Sequence, residues 1–459
     1  MSGLCTDLYE LRMAASYMRR NMVGPATFSL FVRQLPPQRG FLVAAGLADA
    51  LTFLERFEFD DEEIDYLRDV VDLDATSVAA LRATRFTGEV WAVPEGRVVF
   101  AGEPLLEVTA PIAEAQLVET GLLNLLTFQT SVASKAARCR LAARGAELID
   151  FAFRRTHGIE AAMGVARASA IVGFAATSNV AAARRYGLRP AGTMAHSFIE
   201  AFPDERSAFR AFARDFPASA TFLVDTYDTL AGVRSAIDII DELGLEGPVG
   251  IRLDSGDLDA LARSARRILD DAGLGRARIV ASGGLDERAI SGLVARGAPI
   301  DACGVGTRMG VSPDAPSLDS AYKLVAFGDR PVMKLSVGKV TDPGAKQVFR
   351  GASPEPGDVL GLRDQPGPAD HRPLLAPVMR AGHRIRDEGP AGEVVAARDR
   401  FDSDLAWLPD AARRLTDPVP VPVTLSPQLA ALRRDLVTEL APGRTTTTAA
   451  DPSDTRAGL

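Results

Sequence analysis

Between residues 148 and 306 the chain repeats one pattern: a short apolar run, a turn, then an amphipathic helical segment. The runs are LIDFAF (148–153), FAATS (174–178), AGTMA (191–195), TFLVD (221–225), VGIRLD (249–254), RIVASG (278–283) and ACGVG (302–306). Segments near 159–172, 180–186, 203–214, 229–243, 257–272 and 286–296 space their apolar residues as helices do. Apolar runs of this length alternating with helices read as parallel strands covered on both faces. With a last strand near 319–327, seven to eight units fit into roughly 190 residues, which predicts an α/β fold built on a compact (β/α) barrel rather than an open sheet.

The flanking segments have a different texture. Residues 6–20 read as a helix, Ala26 to Arg33 as a strand ended by Pro36-Pro37, 40–82 as acidic helix, and 86–109 as short strands. They make residues 1–111 an α+β N-terminal domain. A helical lead-in and the barrel follow over 112–350. The segment 351–440 is expected to fold back onto the N-terminal domain, so that this domain also takes up C-terminal segments. Residues 441–459, PGRTTTTAADPSDTRAGL after Ala441, are low in complexity and read as disordered.

Charge and composition exclude several function classes. The 52 basic and 60 acidic residues leave a formal charge of −8, which gives no general attraction to nucleic acid or to an anionic membrane. Cys5, Cys139 and Cys303 are scattered, without metal-ligand spacing. No stretch reaches the ~18 apolar residues of a membrane span, and MSGLCTDLYELRM lacks the basic-then-apolar order of a signal peptide. A cytoplasmic protein is expected. Of the basic residues only five are lysine: Lys135, Lys323, Lys334, Lys339 and Lys346.

In a barrel, chemistry gathers at the C-terminal strand ends. Those ends carry Arg154 and Arg155, Ser178, His196, Asp225, Asp254 with Asp257, Gly283-Gly284, and Gly304-Val305-Gly306-Thr307. The two glycine loops, SGG and GVGT, read either as a cradle in which backbone amides hold a phosphate or as ordinary tight turns. Arg252 and Asp254 are two apart on one strand and share a side, where an unpaired charge is costly. Asp254 and Asp257 suit a water-held Mg²⁺ or a ribose diol, unless they cap the next helix. Asp225, one strand beyond His196, is placed to hold its imidazole, a pair suited to a general base or to a nucleophile that accepts a phosphoryl group. No lysine stands at a strand end before residue 323, which argues against Schiff-base chemistry, and no GxxxxGK[ST] loop is present.

Seven ordered motifs then carry a resemblance: TDLYELRM (6–13), DFAFRR (150–155), GTMAHSF (192–198), RLDSGDL (252–258), SGGLDE (282–287), GVGTRM (304–309) and MKLSVGKVTDPGAKQVFR (333–350). Together the sequence resembles nicotinate phosphoribosyltransferase, within the type II phosphoribosyltransferases. SGGLDE departs from a common family form with an Asn-Asp or Gly-Asp pair. The resemblance implies that nicotinate condenses with 5-phosphoribosyl 1-diphosphate to nicotinate mononucleotide and diphosphate in NAD biosynthesis. It also implies ATP as co-substrate, Mg²⁺, and a homodimer with shared active sites.

By position, His196 matches a phosphohistidine. Tyr9 matches a tyrosine that reaches the partner's site and stacks on the pyridine ring there, and Phe151, with Phe153 as the other possibility, resembles the other ring-stacking residue. Arg154, Arg252 and Asp254 match ligand contacts, and Gly283, Gly284, Gly304, Gly306 and Thr307 the hold on the 5′-phosphate. Ser178 favours a carboxylate-bearing pyridine over an amide. Nicotinamide or quinolinate as the base, and a non-catalytic phosphosugar-binding barrel, are the alternatives. The lysines within 323–346 are further candidates to touch phosphate groups.

Overall fold

A computed structural model describes residues 2–336 and 340–440. Six parallel strands form one curled sheet: β1 (Glu147–Asp150), β2 (Ala176–Thr177), β3 (Thr221–Leu223), β4 (Gly250–Leu253), β5 (Arg278–Ala281) and β6 (Ala302–Val305). Their order in space is β2-β1-β6-β5-β4-β3. All six C-terminal ends therefore open on the same side, and β2 and β3 are the two edges. The helices between them run almost as their periodicity predicts, for example Ile159–Ile171, Thr229–Leu243 and Leu258–Asp271. Aspartates cap four of them: Asp204, Asp228, Asp257 and Asp286 accept bonds from the backbone N–H groups of Ser207, Ala231, Ala260 and Ala289.

Two expected barrel strands are not in this sheet. Residues 191–195 are extended without a ladder; only Pro190 bridges to Thr177. Pro190 has no N–H to donate and Gly192 packs nothing. Ser320–Phe327 is a strand, but it pairs antiparallel with Pro25–Val32. That pairing belongs to a seven-stranded antiparallel sheet, which also holds Pro104–Pro111, Glu89–Ala92 and Ala376–Arg380. The N-terminal sheet thus takes up later segments of the chain on both sides of its centre, and the parallel sheet is a half-barrel.

Between the two sheets runs the helix Glu119–Ala143, whose small residues are buried from Thr130 to Ala137. Ala133, Ala136, Ala137 and Ser134 let neighbouring backbones approach on more than one face, so this helix is core rather than surface. A four-stranded sheet holds Lys346–Gly351, Asp358–Leu362, His371–Pro373 and Val423–Leu425. The buried Arg350 pairs there with Asp358 at 2.6 Å and with Asp404 of helix Gly389–Trp407 at 3.1 Å. No helix among the described residues is long and apolar enough to cross a membrane. The low-complexity tail 441–459 lies outside the described residues.

Candidate active site

The mouth of the parallel sheet gathers its polar groups around Arg252. This side chain leaves β4 and donates from Nε to Ser282 Oγ at 2.8 Å, from Nη1 to Thr193 Oγ1 at 3.2 Å and from Nη2 to Asp254 Oδ1 at 2.7 Å. Its guanidinium carbon lies 5.4 Å from the centre of the Phe151 ring, within cation–π range. The register explains the cluster. Arg252 is opposite Val280 and Leu253 opposite Ala281, so one step on Asp254 faces Ser282, and its carboxylate accepts the Ser282 hydroxyl.

Burial pushes the Asp254 carboxyl up, but the Ser282 hydroxyl and the Arg252 guanidinium outweigh it and hold the group below the usual carboxylate range. Asp254 stays an anion in a half-buried pocket. Asp150, at the end of β1, is the opposite case: burial pushes it up against the Thr177 hydroxyl and the Ala152 amide.

Around this centre stand the two glycine loops. Gly283 has φ +89°, and a Cβ there would fall 1.9 Å from the Asp254 carbonyl oxygen. Only glycine allows this approach, which keeps β4 and β5 together at the mouth. Gly283, Gly284 and Thr307 are exposed and Gly306 is partly so. Gly304 differs from the expectation of a phosphate-loop glycine. It lies inside β6, buried, where a Cβ would meet the Phe151 ring at 2.5 Å. Its missing side chain makes room for Phe151 rather than for a ligand.

Other expected residues sort as follows. His196 begins the short helix His196–Glu200, and its Nδ1 lies 3.1 Å from Thr226 Oγ1. The expected partner Asp225 does not hold the ring. Asp225 Oδ2 instead accepts the Ser255 hydroxyl at 2.5 Å and the Asp254 amide at 3.2 Å, while its buried Oδ1 has no hydrogen-bond partner among the described residues. Asp257 is a helix cap. Ser178 is half-buried beyond β2, its amide bonded to the Asp150 carbonyl. Arg154 and Arg155 are exposed on a single 3₁₀ turn, Phe153–Arg155.

Tyr9 lies on helix Leu8–Arg19, half exposed; burial first, then Glu119, raise its phenol. Its charged neighbours are Asp7 and Glu10 on its own segment and Glu119 at the start of the core helix, not groups of the strand mouth. Lys346 does not fit a phosphate contact: it is buried, 3.2 Å from Glu107, and its ammonium donates to the Asp342 and Gly344 carbonyls. Lys339 lies outside the described residues. Thr193, Ser282 and Thr226 were missed; the β4–β5 register is the signal that singles out Ser282.

Asp286 gives a separate test of how the mouth is held. It caps helix Glu287–Ala295 and accepts from Arg308 at 2.8 Å, which ties the SGG segment to the GVGT segment. Burial raises its carboxyl, but the Ala289 amide and Arg308 hold it below the ordinary carboxylate value. A carboxyl lowered on folding contributes stability above its unfolded pKa, and that contribution is lost as pH falls through the folded value. Asp286→Ala is expected to cost about 1 kcal/mol at pH 7. Denaturant midpoints should show the gap to the parent narrowing below about pH 4. A gap that stays constant into acid would contradict the assignment.

Comparison with known proteins gives this geometry a family. A family model for the nicotinate phosphoribosyltransferase N-terminal domain matches residues 4–127, and one for the nicotinate phosphoribosyltransferase family matches residues 146–310. The chain belongs to the nicotinate phosphoribosyltransferase family. The family is a family of enzymes, of class EC 6.3.4.21. Nicotinate phosphoribosyltransferase pncB2 of Mycobacterium tuberculosis is 48% identical over 451 residues, covering 96% of each chain. The human nicotinate phosphoribosyltransferase is 33% identical over 521 residues, 94% of this chain and 96% of that one.

Among solved structures, human nicotinic acid phosphoribosyltransferase superposes with a TM-score of 0.83 at 30% identity, over 94% of this chain and 99% of that one. A nicotinate-nucleotide pyrophosphorylase from Pyrococcus furiosus gives 0.71 at 25% identity, over 87% and 96%. The second match shares the fold over most of both chains.

Proposed function

We propose that this chain joins nicotinate to 5-phosphoribosyl 1-diphosphate, giving nicotinate mononucleotide and diphosphate for NAD synthesis, with ATP consumed through His196. The observation that carries the reading is Arg252, which ties Phe151, Asp254, Ser282 and Thr193 into one preformed mouth beside two exposed glycine loops. In that site the 5′-phosphate is held by the amides around Gly283, Gly284, Gly306 and Thr307. Phe151, fixed by Arg252 on one side and the space over Gly304 beneath, offers a flat surface for the pyridine ring. Ser178 and Arg154 face the substrate from the ends of β2 and β1, and Ser178 suits a carboxylate.

The pyridine nitrogen uses its lone pair to form the bond to C1 of the ribose. The C1–oxygen bond breaks, and diphosphate leaves with the electron pair. Little covalent work falls to the protein; alignment and charge neutralisation supply most of the effect. The orphaned Asp225 Oδ1 and the neighbouring Asp254 carboxylate fit Mg²⁺, which takes one or two protein carboxylates and completes its shell with water and substrate oxygens. When bound, Mg²⁺ neutralises charge on the departing diphosphate.

His196 has one ring nitrogen against Thr226, and among the described residues nothing hydrogen-bonds the other, the arrangement a phosphoryl acceptor needs. The phosphoryl group passes from ATP to the imidazole with release of ADP, and then to water. The phosphorylated ring carries added negative charge and acts by reorganising the site rather than in bond-making. A homodimer, with Tyr9 of one protomer reaching the other's site, completes the reading; its support is the half-exposed Tyr9 on the first helix.

The test is a substrate matrix. Purified protein with Mg²⁺ and phosphoribosyl diphosphate meets nicotinate, nicotinamide or quinolinate, each with and without ATP, and the mononucleotide is quantified. Product from nicotinate alone, raised by ATP, is expected. Product from another pyridine overturns the reading of the base pocket, and binding without turnover overturns the enzyme reading.

A further inference from the structure

Beneath the two glycine loops lies a buried ion cluster that the reaction does not use directly. Lys135, on the core helix Glu119–Ala143, is 3% exposed. Its ammonium reaches both Glu287 oxygens, at 2.9 and 2.7 Å, and Asp314 Oδ1 at 2.7 Å. Arg138 donates from Nε to Glu287 at 3.1 Å, and Arg39 lies 3.0 Å from Asp314. Glu287 is the first residue of the helix that follows SGG, and Asp314 follows the short helix that starts at Thr307. One ammonium therefore joins the segments behind both loops, while Arg308–Asp286 joins them again.

The residue type is informative. Of 52 basic residues only five are lysine, and the other four lie at 323–346. A compact ammonium sends three donors in different directions and meets carboxylates from two segments at once. A buried charge of this kind persists only where its partners compensate it fully, so the three groups fix one another's positions.

We infer that Lys135 is a positioning residue for the phosphoribosyl substrate: acting through Glu287 and Asp314, it sets the spacing between the SGG and GVGT loops. The inference rests on reading those loops as the phosphate site. Lys135 touches no substrate. It holds the loop amides at the separation one phosphate group requires, and small errors in such supporting groups are felt in binding.

Steady-state kinetics with each substrate varied in turn test this on four variants: Lys135→Met, Lys135→Arg, Asp314→Asn and Gly284→Asp. Lys135→Met and Asp314→Asn are expected to raise KM for phosphoribosyl diphosphate about tenfold, with KM for nicotinate and kcat within about threefold. Lys135→Arg should fall between the parent and Lys135→Met. Asp314 is 30% exposed, so Asp314→Asn and Lys135→Arg decide the matter if Lys135→Met does not fold.

Gly284→Asp tests the loop reading separately. A Cβ there meets open space and aspartate tolerates the left-handed backbone, so the change adds a carboxylate beside the phosphate with little strain. If Gly284→Asp leaves KM for phosphoribosyl diphosphate unchanged, the phosphate reading fails and takes the inference with it. If Gly284→Asp raises that KM and the folded Lys135 and Asp314 variants do not, the cluster serves stability alone and the inference is overturned.

Discussion

Arg252→Ala is expected to lower kcat/KM for nicotinate mononucleotide synthesis by about a hundred- to a thousandfold, or about 2.7–4 kcal/mol of transition-state stabilisation. The effect is large because one guanidinium organises four groups. Without it Asp254 loses its ion pair, Ser282 and Thr193 lose their donor, and Phe151 loses the cation beside its ring. Arg252→Lys should recover only a small part, since an ammonium cannot reproduce the three-way fork. Steady-state rates, with circular dichroism to show a retained fold, decide the point. A loss under about fivefold for Arg252→Ala would mean that the mouth is organised without this residue.

The second large effect is on coupling. His196→Ala is expected to abolish the stimulation by ATP while leaving a weak, ATP-independent synthesis. The side chain is only partly buried and, among the described residues, has one hydrogen-bond partner, Thr226, so the fold should survive its removal. Mononucleotide formed with and without ATP, and ADP released per product, separate the two activities. Loss of both activities in a folded variant would place His196 in bond-making itself and contradict the division of labour proposed above.

How much of this was legible in the sequence depended on whether the information was local. The helices after β1 to β5 follow from apolar spacing, and Asp204, Asp228, Asp257 and Asp286 cap four of them. Strand parity placed Arg252 and Asp254 on one side of β4, and they pair at 2.7 Å. What failed was pairing across the chain. Ser320–Phe327 has the pattern of a strand, but pattern does not say which sheet; its partner Pro25–Val32 lies some three hundred residues earlier. The run 191–195 reads as apolar, yet Pro190 and Gly192 deny it a ladder.

The same limit applies to the side chains of the site. Asp225 was expected to orient His196, because both stand at strand ends. The loops that follow the strands decide otherwise: Ser255 turns back onto Asp225, and Thr226 takes the imidazole. Gly304 looked like a loop glycine because it precedes Gly306, but β6 extends to Val305 and the Phe151 ring fills the space above it. Lys135 could not be read as part of the mouth at all, since the core helix meets Glu287 across some one hundred and fifty residues of chain.

The central claim is that the mouth of the half-barrel holds both the phosphate and the base of the product. A crystal structure of the protein with nicotinate mononucleotide tests it most directly. The account predicts the 5′-phosphate on the amides of Gly283-Gly284 and Gly306-Thr307, with the pyridine ring against Phe151. Nucleotide bound elsewhere, for example in the cavity of about 360 Å³ lined by Leu51, Glu95 and Glu393, with the mouth empty, would contradict it.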